Sequence, residues 1–119
     1  MKNDNQLMIK SEELALQVIK IRKFLEKNGE GVLSNQLVKS GTSVGANVCE
    51  AIDSFSKNEF YFKITIALKE ARETNYWLKL IYKSEYITEE MYIIKFFCSA
   101  FCFLLSAFCF LLSALIFIL

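Results

Sequence analysis

Lys69, Arg72, Tyr76, Lys79 and Lys83 follow one another at spacings of three, four, three and four. On a helix that spacing gathers all five on one face. Four cations and one aromatic ring suit a phosphate backbone and a stacked base. Lys20, Lys23 and Lys27 repeat the basic pattern upstream. The chemistry on offer is nucleic-acid binding, with no bond made or broken. A solvated helix face accounts for the same residues: Lys69 and Glu73 stand four apart, and Glu26 adjoins Lys27.

Glu50, Glu70 and Glu73 are the carboxylates to weigh for proton transfer. Glu70 and Glu73 share a helix face, but the chain contains no His. That removes the usual general base near neutral pH, the commonest metal ligand and the Glu-x-x-His pairs of helical di-metal sites. The three carboxylates read instead as members of a buried polar network with Asn47, Ser43 or Lys side chains, fixing helix register or an oligomer interface. Cys49, Cys98, Cys102 and Cys109 read as small apolar residues in a reducing compartment. Cys98 and Cys102 share a face, but a zinc site needs further ligands. No catalytic residue, metal ligand or cofactor is expected.

At 119 residues the chain has room for one small domain. Its 14 Lys and Arg oppose 13 Asp and Glu, for a net charge of +1. Global attraction to nucleic acid is therefore weak, and local patches must carry any binding. Every charged side chain lies between Lys2 and Lys95. The chain thus divides into an amphipathic part, 1–95, and an uncharged apolar tail, 96–119. The opening MKNDNQLMIK lacks the apolar core of a signal peptide, which predicts a cytoplasmic bundle.

The elements that must position these residues read as helices. Ser11, ahead of Glu12 and Glu13, suits a cap for a first helix near 12–28. Leu14, Val18, Ile21 and Leu25 are its apolar stripe, and Asn28-Gly29 its stop. A second helix near 33–54 carries Leu37, Val44, Val48 and Ile52, with Gly41 and Gly45 four apart. Those glycines predict either a close helix neighbour or a loop near Ser40-Gly41-Thr42-Ser43. Ser56-Lys57-Asn58-Glu59 has capping-box spacing and opens a third helix, 57–83. Ile64, Leu68, Ala71, Asn75, Leu78 and Tyr82 are its expected buried stripe. Thr88, before Glu89 and Glu90, caps a fourth helix that starts near 89 and continues into the tail. The expected fold is all-α: an antiparallel, up-down-up-down four-helix bundle with an abnormally apolar fourth helix.

The stretches LSNQLVKSGTSVGANVCEA, residues 33–51, and IALKEARETNYWLKLI, residues 66–81, resemble the four helix bundle protein family, also called 23S ribosomal RNA intervening-sequence proteins. The resemblance implies an antiparallel four-helix bundle assembled as a ring-shaped homopentamer, with no established enzymatic activity. Its matching motif positions are Ser43, Gly45, Asn47 and Glu50 on the second helix, and Glu70, Glu73 and Trp77 on the third. Trp77 is then a packing residue, at a subunit contact. A related branch, the accessory variability determinant protein of diversity-generating retroelements, engages RNA and a reverse transcriptase through a basic surface. The resemblance thus implies RNA as partner and, more distantly, a reverse transcriptase. It ends after Tyr92, where the family continues in a charged amphipathic helix and this chain does not.

Three readings of the tail stand side by side. As a helix, residues 96–119 would be about 36 Å long, enough to cross a bilayer core of about 30 Å. That predicts a membrane anchor and a membrane-associated protein. Ser99, Cys102, Ser106, Cys109 and Ser113 form a line of small residues along which another helix can approach. Alternatively, the tail is the last helix of the bundle. Finally, SAFCFLL occurs twice in tandem, from Ser99 and from Ser106, and is what a repeated heptanucleotide TCTGCTT encodes. On that reading the tail is the frameshift product of a slipped repeat in a non-functional family member.

Overall fold

The computed structural model describes the backbone of residues 2–118, and side chains there other than those of 2–5, 96, 97, 108, 112, 113 and 115–118. Among the described residues five helices follow in order: α1 Lys2–Lys27, α2 Val32–Ile52, α3 Lys57–Lys83, α4 Glu89–Tyr92 and α5 Ile94–Ile118. No strand occurs among the described residues.

The first helix begins well before Ser11. Leu7 is buried and extends the stripe of Leu14, Val18, Ile21 and Leu25 toward the N-terminus. Burial of that extra turn outweighs the capping preference of Ser11, because helices in proteins are held mainly by packing of an apolar face. Ser11 is itself buried and its Oγ donates to the Met8 carbonyl at 2.9 Å. The helix ends as Asn28-Gly29 predicts. Gly29 takes φ 81°, and the Glu30 N–H returns to the Leu25 carbonyl at 2.9 Å, closing a Schellman turn.

The second helix is continuous through Ser40-Gly41-Thr42-Ser43, which decides between the two readings of its glycines. A Cβ added at Gly41 would lie 2.6 Å from Val18 Cγ2. At Gly45 the same atom would sit 3.4 Å from Ser11 Oγ. Gly41 thus brings α2 onto α1 at a distance no larger residue allows.

The capping box at the start of α3 is present. Ser56 Oγ accepts from the Glu59 N–H at 3.1 Å, and Glu59 Oε2 accepts from the Phe55 N–H at 3.0 Å. The buried stripe contains Ile64, Leu68, Ala71 and Leu78 as expected, but Thr74 and Ile81 are buried where Asn75 and Tyr82 are half-buried. Thr74 Oγ1 lies 3.0 Å from Ser40 Oγ and 2.8 Å from the Glu70 carbonyl, so a hydroxyl pair sits satisfied in the core between α2 and α3.

Thr88 caps α4, its Oγ1 accepting from the Met91 N–H at 3.3 Å. The helix is interrupted at Ile93 rather than running on. At this junction the Tyr82 and Tyr92 rings stack at 4.1 Å, and Lys95 Nζ lies 4.5 Å above the Tyr92 ring. The long helices pack α1 on α2, α2 on α3 and α3 on α5, with a slighter contact between α1 and α5. This arrangement is compatible with a four-helix bundle.

Among the described residues no helix is long and apolar enough to cross a membrane. The expected membrane-spanning segment, 96–119, is not found there, and part of it lies outside the described residues. Its described part instead docks as the fourth long helix. Cys98, Phe101, Leu105 and Cys109 are buried in the common core, because their spacing of three, four and four supplies the one apolar stripe a bundle position requires.

Candidate nucleic-acid interface

The buried stripe of α3 turns Lys69, Arg72, Tyr76, Lys79 and Lys83 outward, and all five are exposed. Tyr76 meets Trp77 edge-on at 5.1 Å between ring centres. Trp77 Nε1 donates to Glu73 Oε1 at 3.2 Å, so Glu73 is engaged along its own helix. Among the described residues neither Lys79 nor Lys83 forms an ion pair; the pairs are Lys10–Glu13, Arg22–Glu26 and Lys63–Glu50. Arg72 is held differently: its Nη2 donates to Ser106 Oγ on α5 at 3.3 Å. That guanidinium forms the edge of the stripe nearest the tail.

Lys20, Lys23 and Lys27 are exposed on α1. Helices α1 and α3 share α2 and α5 as their main neighbours, so their outward faces look in different directions. Within one protomer the two basic stripes are separate surfaces. Lys20 also stands on the rim of an open cleft of about 700 Å³ between α1 and the α4–α5 junction, with Glu13, Gln17, Glu90 and Met91.

The polar motif positions are satisfied locally rather than in one network. Ser43 Oγ donates to the Lys39 carbonyl at 2.7 Å, and Asn47 Nδ2 to the Ser43 carbonyl at 2.8 Å. Gly45 faces Ser11. Glu50 crosses to α3 and pairs with Lys63 at 2.7 Å. The Glu70 carboxyl is raised above its ordinary value, first by partial burial and then by Glu73, while Lys39 and Lys69 oppose the shift. Lys39 therefore faces Glu70 from α2, and together with Glu50–Lys63 it sets opposite charges across the α2–α3 seam. Sequence reading did not find Lys63, Ser40 or Thr74. Nothing in one helix's periodicity names its partner across a seam.

Among the described residues no group of His, Cys, Asp or Glu side chains could hold a metal ion. Burial pushes the Cys98 thiol up to about 12, and the neighbouring Cys102 adds to the shift. Cys102 and Cys109 are also raised, chiefly by burial, against the pull of Arg72. Such thiols are poor nucleophiles. At pH 8, iodoacetamide will label exposed Cys49 quickly and Cys98 only as fast as the molecule opens, read by peptide mass spectrometry; equal rates would mean that the core does not enclose Cys98. The folded state binds the Cys98 proton more tightly than the unfolded chain. This contribution to stability is complete below the unfolded value of 9.0 and is lost as pH rises toward about 12.

No curated protein matches this chain. A solved structure from Bacteroides thetaiotaomicron VPI-5482, a protein of unknown function from the S23 ribosomal protein family, is 43% identical. The likeness covers 92% of this chain and 98% of that one, with a TM-score of 0.86. It therefore reaches beyond residue 94 into α5. Residues 3–94 match the family described as 23S rRNA-intervening sequence protein. Over most of its length, then, in sequence as well as in helical fold, the chain belongs to the 23S rRNA-intervening sequence protein family.

Proposed function

We propose that this protein is a non-enzymatic RNA-binding module that works as a homo-oligomer, built as an up-down-up-down antiparallel four-helix bundle. The observation that carries this reading is the α3 surface, where Lys79 and Lys83 stand exposed, outside any ion pair among the described residues, beside the half-exposed Tyr76 ring. Long cations of this kind release counterions when they meet phosphates, and a ring beside them adds base stacking without sequence preference. Assembly into a ring, as the family resemblance implies, would repeat the stripe and multiply its contacts. The α1 stripe serves as a second phosphate-binding edge of the same ring.

Lys79→Glu with Lys83→Glu tests the reading. Binding of a fluorescent single-stranded RNA is measured by anisotropy across a salt series. The double variant is expected to bind at least about tenfold more weakly, with a salt slope lower by about one to two. Unchanged affinity and slope would reject the α3 surface. Both side chains are exposed, so the variant's helicity should match that of the parent.

A further inference from the structure

Of the small-residue line of the tail, Ser106 and Cys109 face α3, while Ser99 is exposed. Cys109 Sγ lies 3.9 Å from Thr65 Oγ1, and Ser106 receives Arg72. The outward side of α5 is Ala100, Phe103, Leu104, Ala107, Phe110 and Leu111, all exposed. Phe103 and Phe110 are 78% and 75% exposed. These are the second, fifth and sixth positions of the tandem SAFCFLL unit. A seven-residue period slips by about 20° per repeat on a straight helix, so a seam that keeps it asks for a left-handed supercoil with a partner.

We propose that the partner is a second copy of this chain, with two α5 helices packed along their Ala-Phe-Leu seams as a two-stranded coiled coil. Three observations select that occupant. A helix with the same seven-residue period matches the seam, and this chain carries one. Residues 96–119 contain no charge, so like seams meet without burying an ion. The area also suffices: two phenylalanines three-quarters exposed, two leucines and the alanines offer about 500 Å² per copy, hence about 1,000 Å² per pair, the lower bound for a specific interface. The alanines allow close approach along the seam, while the phenylalanines fill the layers between them. The contact joins copies two by two, outside any ring interface; it rests on the self-association proposed above, but it needs no RNA.

The test uses the full chain with Cys49→Ser and Cys102→Ser, to which Ala107→Cys is added at the middle of the seam. Mild oxidation is followed by a non-reducing gel, and solution mass is measured by light scattering. The expected result is a disulfide-linked pair at least tenfold more abundant than with Ala46→Cys, on the exposed side of α2. Phe103→Glu with Phe110→Glu is expected to abolish the cross-link and lower the mass, with helicity by circular dichroism retained. An oligomer whose mass ignores the Phe changes and which gives no Ala107→Cys link would overturn the seam while leaving assembly intact. A monomer in water would overturn both. A monomer recovered on phosphatidylcholine vesicles without cross-linking would overturn the second copy in favour of lipid.

Discussion

Truncation after Lys95 is expected to yield a chain without a cooperative fold. The deletion removes Cys98, Phe101, Leu105 and Cys109, four members of the one continuous core. Cutting a buried Phe or Leu down to Ala costs about 2–5 kcal/mol each, through lost transfer energy and the cavity left behind. Two such losses alone match a whole domain's stability of about 5–15 kcal/mol. Removing the backbone as well uncovers the side of α3 that α5 covers. Far-ultraviolet circular dichroism should still show helix, whereas the urea transition should broaden and the near-ultraviolet signal of Trp77 and the tyrosines should fade. A sharp urea transition in residues 1–95 would show that α5 is an appendage. The single change Leu105→Ala, at a fully buried site, gives a milder version, lowering stability by about 2–5 kcal/mol.

Gly41→Val should lower stability by about 3 kcal/mol, at the upper end for overpacked cores. The added Cβ would meet Val18 Cγ2 at 2.6 Å and Cγ1 at 3.0 Å. Val18 is itself fully buried and stiff at χ1, so it cannot swing aside. Either α1 and α2 separate or Val18 leaves its rotamer. The companion change Gly45→Ala should go the other way by up to about 1 kcal/mol, because its Cβ finds ordinary contact distance at 3.4 Å from Ser11 Oγ and Ala favours the helix. Thermal melts of the two variants check both signs at once. For a domain of this size 3 kcal/mol is a drop of about 10 °C or more. Equal and small shifts would mean that the close α1–α2 approach is not enforced at Gly41.

Local signals were legible wherever a single helix decides them. The Ser56–Glu59 box, the Thr88 cap and the Asn28-Gly29 stop all depend on neighbours within four residues, and each is found in place. Ser11 misled because capping is a weak preference beside burial of Leu7. The α3 stripe lies one residue, about a quarter turn, from its expected place at Asn75 and Tyr82, since Thr74 becomes a core residue only once Ser40 supplies its hydroxyl from α2. The same holds at the candidate interface. Lys79 and Lys83 could be placed on a face from spacing alone, but the Arg72–Ser106 bond joins residues 34 positions apart, and periodicity carries no such information. In the tail, absence of charge spoke of a membrane, whereas the structure buries Cys98, Phe101, Leu105 and Cys109 in the core.

The uneven seam around α5, broad toward α3 and slight toward α1, bears on how the molecule is made. This helix follows α3 in the chain, so its main docking face is synthesised before it. Helices α1 to α3 can collapse during translation, but the groove beside α3 stays greasy and open until α5 has followed. The nascent protein therefore passes through an interval in which a chaperone, rather than α5, is the natural cover for that groove.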